Sequence, residues 1–101
     1  MRNLVLSSKY KKDIKALSKT QRFKKYSPIL IDYLACLQRG EKLPDKARNH
    51  QMSKASPSEY QDCFDFHVIP DICVVYRMTK GAIDLVRIGQ HNNLGLTENI
   101  I

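Results

Sequence analysis

The sequence lacks a long apolar run, and it lacks a cysteine pattern that would indicate a disulfide framework or a zinc knuckle. Its three cysteines, Cys36, Cys63 and Cys73, are odd in number, and no two of them have CxxC spacing. Such thiols are typical of a reducing compartment, so we predict a cytoplasmic protein. The segment Met1–Leu6 is too short for a signal peptide and leads directly into lysines. No apolar run approaches the roughly 20 residues of a membrane span, so no membrane association is expected.

Acidic residues are scarce in the first half of the chain. The length of 101 residues predicts a single domain over 1–101, and the net charge is +7. Residues 1–50 hold 13 Lys and Arg against four Asp and Glu, whereas residues 51–101 hold four against six. A concentrated basic region attracts polyanions, because each neutralised phosphate releases counterions. Charge alone leaves RNA, DNA, an anionic membrane surface and an acidic protein open as partners.

Apolar periodicity predicts two helices in this basic half. The first has a stripe formed by Tyr10, Ile14 and Leu17, and it follows the N-cap candidates Ser7 and Ser8. The start of the second helix is ambiguous. Its apolar stripe and the glycine that ends it are Leu30, Tyr33, Leu34, Leu37 and Gly40.

Two positions compete for the start of the second helix. Ser27 and Pro28 have the pattern of an N-cap followed by the first helical residue. A start near Thr20 would instead place Pro28 inside the helix and kink it.

Strands are predicted on either side of these helices. Leu4–Leu6 is expected to be a buried first strand, and an irregular basic loop is expected over Glu41–Pro57. The three later strands are predicted at Tyr60–Val68, Ile72–Arg77 and Ala82–Ile88. The order β-α-α-β-β-β predicts an α+β fold, with two helices on one face of a curved, mainly antiparallel sheet. The other face would then be free to hold a ligand.

The three histidines all lie in predicted loops or at strand ends, where catalytic groups usually sit. RNA cleavage by the 2′-hydroxyl needs a proton acceptor, a proton donor and a cation that offsets charge on the phosphorane. Imidazole suits both proton transfers because its ordinary pKa is about 6.5, and the planar arginine fork matches phosphate oxygens. The residues that would supply these groups without a metal are His50, His67, Asp71, Arg87 and His91.

Each of these residues also has a structural explanation. A single histidine at a loop or strand end is more often an ordinary surface residue than a catalyst. Asp71 after Pro70 is a good turn residue without any further role. Strand parity puts Arg87 on the same side as Ile83 and Leu85, which favours a structural role unless a bulge turns it. The wide spacing of the histidines gives little support to a zinc site.

The order of these residues, rather than their types, resembles the YafQ-like branch of the RelE/ParE toxin superfamily. That pattern is Leu-Pro, a loop histidine, Asp-x-His-x-x-Pro-Asp, a tyrosine-bearing strand and Arg-x-Gly-x-His-x-x-Leu. The resemblance covers roughly the last 60 residues in motif detail, and the two main motifs together are fairly specific. The matching positions are Leu43, Pro44, His50, Asp65, His67, Pro70, Asp71, Tyr76, Arg87, Gly89, His91 and Leu94.

The resemblance implies a RelE-like fold and a toxin of a type II toxin–antitoxin system. It implies an endoribonuclease that cleaves mRNA in the A site of the 70S ribosome by 2′-hydroxyl attack, without a metal or other cofactor. It also implies a cognate antitoxin, with operator DNA bound only through the toxin–antitoxin complex. By position, His91 is the general-acid candidate and Arg87 the phosphate clamp, whereas His50, His67 and Asp71 would share base and positioning roles.

Two further groups of residues are candidates for binding. The candidates for substrate contact are Lys46, Arg48, Asp65, Ile72 and Leu94. The lysines of the helical region are most simply a solvated face, and in a functional interpretation they grip ribosomal RNA. They are Lys9, Lys11, Lys12, Lys15, Lys19, Lys24 and Lys25.

The sequence departs from the family pattern at several positions, three of which bear on function, and two alternative functions stay open. Phe64 stands where the family usually has arginine, Ile72 where tryptophan or leucine is common, and Gly95 where an aromatic residue usually follows. The loss of the family's arginine at position 64 and of its aromatic residue at position 95 would remove a phosphate or antitoxin contact and a base-stacking surface. One alternative is therefore a catalytically weakened toxin that acts through antitoxin binding. The other is a ParE-like, non-catalytic inhibitor of DNA gyrase, which would not need the histidines.

Overall fold

The fold is a five-stranded sheet with two α-helices, in a computed structural model that describes residues 1–52, 60–90 and 94. The elements are β1 (Asn3–Leu6), α1 (Ser8–Ser18), α2 (Gln21–Gln38), a 3₁₀ turn (Asp45–Ala47), β2 (His50–Gln51), β3 (Phe64–Ile69), β4 (Ile72–Thr79) and β5 (Ala82–Gly89). The strand order is β1-β5-β4-β3-β2, and only the β1–β5 pair is parallel. The predicted α+β class is confirmed. Neither α-helix is long and apolar enough to cross a membrane.

Helix α1 is fixed to the edge of β5 by its N-cap. The hydroxyl of Ser7 accepts a hydrogen bond from the backbone of Tyr10 at 3.0 Å and donates one to the carbonyl of Val86 at 2.7 Å. The backbone N–H of Ser7 also donates to the carbonyl of Leu85, where the pairing of β1 with β5 ends. The helix therefore continues along the edge of β5 that β1 leaves open.

Helix α2 begins at Gln21 with Thr20 as its N-cap, so the predicted start at Ser27 is wrong and the alternative is right. Pro28 lies inside the helix and cannot donate the usual hydrogen bond to the carbonyl of Lys24. The apolar stripe of α2 is nevertheless continuous and buried. Its packing against the sheet therefore outweighs the cost of a proline inside the helix. Gly40, with φ of 73°, follows the helix as predicted.

Apolar residues cover both faces of the sheet, and this corrects the prediction of a free second face. The helix-side core includes Tyr10, Tyr26, Leu30, Tyr33, Phe66, Val74, Ile83 and Leu85. A smaller cluster on the opposite face contains Met52, Tyr60, Cys63, Cys73, Val75 and Leu94. Full burial of a large apolar side chain contributes about 1.5–3 kcal/mol to the stability of the folded state. The second cluster therefore stabilises the fold as well.

The first two strands differ from the expectation. β1 is an edge strand rather than a buried one, with Val5 50% and Leu6 37% exposed. β2 lies within the segment 41–57 that was predicted as a loop, and it pairs with β3 through His50 opposite Asp65. A two-residue strand is too short to leave a period-two pattern, so the sequence could not show it.

The predicted start of β3 at Tyr60 is also too early. The strand begins at Phe64, because the backbone turns between Tyr60 and Cys63, where the N–H of Cys63 donates to the carbonyl of Tyr60 at 3.1 Å. Asp62 has a positive φ of 64°, which a strand does not allow.

Loss of the Ser7 hydroxyl should destabilise the protein, because it caps α1 and joins the helix to β5. We expect Ser7→Ala to lower the free energy of unfolding in urea by about 1–2 kcal/mol. The matched control is Ser18→Ala, since Ser18 is exposed and bonds only to the preceding turn of α1. Equal effects of the two substitutions would contradict the proposed link.

The stability should also fall at alkaline pH because of Tyr10. Burial, assisted by Asp13, raises the pKa of Tyr10 from 10.0 to about 12. The folded state therefore keeps the phenol neutral while the unfolded chain ionises. The contribution of the neutral Tyr10 to stability is fully present below pH 10 and is lost as the pH rises towards 12. Over this range the free energy of unfolding should fall by about 2–3 kcal/mol. Tyr10→Phe should lose less stability than the wild type over this window in urea titrations, and parallel losses would refute the assignment.

Candidate active site

The register of the sheet brings several predicted site residues onto one face. His50 lies opposite Asp65, Asp65 opposite Val75, and Val75 opposite Arg87. Directly opposed residues share a face, and His67 shares it too because it follows Asp65 by two positions in β3. This is the face away from the helices, since Val75 belongs to the smaller cluster. We call the face that carries His50, Asp65, His67 and Arg87 the histidine face.

A β-bulge in β5 determines the direction of Arg87. Tyr76 pairs with Leu85 but its neighbour Val75 pairs with Arg87, so Val86 is an extra residue in the strand. Simple alternation would have placed Arg87 with Leu85 on the helix side. The bulge turns it to the histidine face, so the parity argument for a purely structural arginine does not hold.

The carboxylate of Asp13 in α1 holds the guanidinium of Arg87. Arg87 donates from Nε at 2.7 Å and from Nη2 at 3.0 Å, and the backbone N–H of Ile88 donates to the same carboxylate at 3.1 Å. The two side chains are 19% and 15% exposed. The hydrogen bond to Asp13 is the main cause that raises the pKa of Arg87, so this residue stays cationic. Arginine has five N–H donors, more than these contacts use, and can still bind a phosphate.

His50 is oriented by two acceptors at the same ring nitrogen. Its Nδ1 lies 2.7 Å from the carbonyl oxygen of Arg48 and 3.3 Å from Oδ1 of Asp65. Because both neighbours are acceptors, we assign the proton to Nδ1, which leaves Nε2 as the basic nitrogen. Among the described residues this Nε2 atom is buried and has no hydrogen-bond partner. Asp65 is only 1% exposed, so it serves His50 better than it could contact a substrate.

His67 is oriented by the β3–β4 turn. Its Nδ1 lies 3.2 Å from the carbonyl oxygen of Pro70, which can only accept, so this nitrogen also carries the proton. The pairing of β3 with β4 shifts register between His67 and Ile69. This second irregularity lies at the end of the histidine face, two strands away from the bulge beside Arg87.

A cavity of about 430 Å³ lies between α2 and β3, and His67 lines it together with Lys46 and Arg48. Its apolar wall includes Ile29 and Tyr33. Two of the predicted substrate contacts therefore meet one of the predicted catalytic histidines.

Asp71 is not brought onto the histidine face. It lies in the exposed turn between β3 and β4, where both carboxylate oxygens accept hydrogen bonds from Nη2 of Arg22, at 2.7 and 2.8 Å. The hydrogen bond from Arg22 holds the pKa of Asp71 below its usual value. Asp71 thus joins the turn to the start of α2.

The remaining predicted residues have varied positions. Ile72 and Leu94 are each 3% exposed, so both are primarily packing residues. His91 lies outside the described residues, as does Gly95. The seven predicted ribosome-binding lysines of the helical region, Lys9, Lys11, Lys12, Lys15, Lys19, Lys24 and Lys25, are all exposed.

Three residues near the site were missed from the sequence, namely Asp13, Arg22 and Tyr60. Asp13 and Arg22 hold predicted site residues, and Tyr60 hydrogen-bonds to the guanidinium of Arg87. One signal was present: Asp13 is the only acidic residue in a helix with four lysines. A single carboxylate in such a helix indicates a specific partner.

The comparison with protein families decides the relationship. The model for the "bacterial toxin of type II toxin-antitoxin system, YafQ" matches residues 2–95. The chain belongs to the YafQ toxin family. The resemblance inferred from the motifs is thereby confirmed.

Several solved structures share the fold along nearly the whole chain. A metal-bound toxin from Helicobacter pylori has a TM-score of 0.75 and 24% identity, covering 93% of this chain and 99% of that one. YafQ in the Escherichia coli DinJ–YafQ complex has a TM-score of 0.74 and 23% identity, covering 93% and 98%. The conserved hypothetical protein HP0892 from Helicobacter pylori has a TM-score of 0.65 and 28% identity, covering 93% and 99%. No curated protein matches the chain.

The Asp13–Arg87 pair should be strongly coupled, because it is mostly buried and shares two hydrogen bonds. In a double-mutant cycle with Asp13→Asn and Arg87→Gln, we expect a coupling free energy of about 1–3 kcal/mol from urea unfolding. The control cycle uses Arg39 and Glu41, an exposed ion pair just after the C-terminal end of α2. This pair should give a much smaller coupling free energy. Coupling no larger than in the control would show that Asp13 does not hold Arg87.

Proposed function

We propose that this YafQ-family toxin is a ribosome-dependent endoribonuclease that cleaves mRNA in the A site. The 2′-hydroxyl would attack the adjacent phosphate and leave a 2′,3′-cyclic phosphate. The observation that carries the proposal is the bulge in β5. It puts a permanently cationic arginine, Arg87, on the same sheet face as His50 and His67.

Each of these groups suits one need of the reaction. Arg87 would stabilise the charge that develops on the phosphorane, which is the largest single contribution expected from such a site. Both histidines have their Nδ1 proton fixed by oxygen acceptors, which leaves Nε2 of each ring as the nitrogen that would accept a proton. His91 remains the candidate for the general acid on the grounds of the family pattern. Nε2 is buried in both rings, so either histidine would act directly only where substrate binding exposes that atom.

The partners follow from the same assignment. The exposed lysines of the helical region would bind ribosomal RNA, and this binding should weaken steeply as salt is raised. A complex of the relative YafQ with DinJ supports a cognate antitoxin for this chain as well. Operator DNA would be bound only through that toxin–antitoxin complex, and the toxin would act in the cytoplasm.

The decisive measurement is the cleavage of a defined mRNA by the purified protein, with and without programmed ribosomes, in EDTA. We expect cuts at A-site codons only with ribosomes, because the proposed proton transfers use side chains alone. Arg87→Gln should slow cleavage by about 10²–10³-fold. The control is Arg39→Gln, which alters an exposed arginine that follows α2 and is paired with Glu41, and it should cleave at the wild-type rate.

Three outcomes would contradict this proposal. Cleavage that EDTA abolishes and a divalent cation restores would indicate a metal mechanism, which is a pertinent test because one relative is a metal-bound toxin. Wild-type cleavage by both Arg87→Gln and His91→Ala would refute the assigned site. No cleavage under any condition would favour a gyrase inhibitor or a catalytically weakened toxin, and inhibition of supercoiling would separate those two.

A further inference from the structure

A second cavity, of about 310 Å³, lies where α1 meets α2, beside the ends of β4 and β5. Two guanidinium groups line it, those of Arg22 and Arg87. We call it the corner cavity. Arg87 also belongs to the histidine face, so the corner cavity adjoins the proposed active site.

The start of α2 gives the corner cavity a positive end. Thr20 and Arg22 both line the cavity, and α2 is 18 residues long. Thr20 makes no side-chain cap, because its hydroxyl donates to the carbonyl of Leu17 at 2.7 Å instead. The first turn also contains no acidic residue. A helix start of this kind favours an anion through its N–H groups and its dipole.

Tyr26 supplies an independent observation that points to a ligand. It lines the same cavity and is only 3% exposed. Its hydroxyl is buried and has no hydrogen-bond partner among the described residues. A buried hydroxyl normally has a partner, and this one lies within electrostatic reach of Arg22 and Asp71.

The charges around the corner cavity also favour an anion. Among the described residues the carboxylates at this cavity are those of Asp13, which lines it, and of Asp71, and each is bound to one of the two arginines. Three exposed lysines within three positions of Arg22 in the chain bring the count to five cations against two anions. They are Lys19, Lys24 and Lys25.

We propose that the corner cavity is a subsite for a backbone phosphate of RNA, with Arg22 as its main ligand and the Tyr26 hydroxyl as a second donor. The inference rests on the proposed function, because it extends the RNA path from the histidine face past Arg87. In the free toxin, the carboxylate of Asp71 occupies the guanidinium of Arg22. A phosphate that binds there replaces this carboxylate and releases Asp71.

Binding of uncleavable RNA tests the subsite apart from catalysis. The probe is a fluorescent oligonucleotide with 2′-O-methyl groups, and its anisotropy is followed over a salt series. We expect Arg22→Gln to weaken binding about tenfold, since a charged hydrogen bond to phosphate is lost. The slope of log K against log salt should fall by about 0.7, the value for one phosphate contact on a single strand.

Arg39→Gln is the matched control. Arg39 ends the same helix, is similarly exposed and is likewise paired with a carboxylate, that of Glu41. It should leave both the affinity and the salt slope unchanged. Arg22→Lys should keep the slope but lose part of the affinity, because it retains the charge without the planar fork. Tyr26→Phe should weaken binding about threefold to tenfold and leave the slope unchanged.

The possible results distinguish phosphate of the substrate strand from phosphate of ribosomal RNA. They also distinguish a failure of the subsite proposal from a failure of the proposed cleavage activity. Loss of affinity for the oligonucleotide in Arg22→Gln would identify the substrate strand as the ligand. Arg22→Gln could instead bind the oligonucleotide normally but co-sediment less with ribosomes that lack mRNA. That result would identify ribosomal RNA as the ligand, and it too would support a phosphate subsite. Equal binding by Arg22→Gln and Arg39→Gln in both assays, or no binding by the wild type in either, would overturn the subsite. Because the probe cannot be cleaved, a failure of the cleavage assay alone would leave this result unaffected.

Discussion

The carboxylate of Asp13 is the contact on which the candidate site depends. It accepts hydrogen bonds from the side chain of Arg87 and from the backbone of Ile88, and so it holds α1 against the part of β5 that follows the bulge. Ser7 makes a second link between the same helix and strand, through Val86. The bulge gives Arg87 its direction and Asp13 fixes its position. The cation and the two histidines are therefore held by one sheet, with α1 as the support.

The two arginines of the corner cavity, Arg22 and Arg87, are both bound by carboxylates of the chain itself. This arrangement orients each guanidinium, but it also offsets part of its positive charge. Asp13 is mostly buried and holds Arg87 in two hydrogen bonds, so that pair acts as a fixed support. The pair of Arg22 with Asp71 is exposed to solvent, where an ion pair contributes little and can exchange partners. One pair is therefore suited to position a cation and the other to release one.

The sequence predicted the elements that have a strong period or a clear end, and it failed where long-range contacts decide. The stripe of α2 and the turn at Pro70 were read correctly, because local spacing determines both. Arg87 was placed on the wrong face, since a one-residue bulge leaves no trace in an alternating pattern. Its partner Asp13 is 74 positions away in the chain, and nothing local joins the two. The exposure of β1 was missed because an apolar run does not distinguish an edge strand from a central one.

The departure from the family pattern at Phe64 has a structural explanation. Phe64 lies on the helix side of β3, opposite to the face of Asp65, and its ring stacks on that of Tyr76 with centroids 5.7 Å apart. The hydroxyl of Tyr76 in turn donates to Asn49 at 2.6 Å, beside the strand that carries His50. An arginine at position 64 would point away from the histidine face, so its absence removes no cation from the place where the phosphorane would form. Phe64 instead supports, through Tyr76, the segment that positions His50.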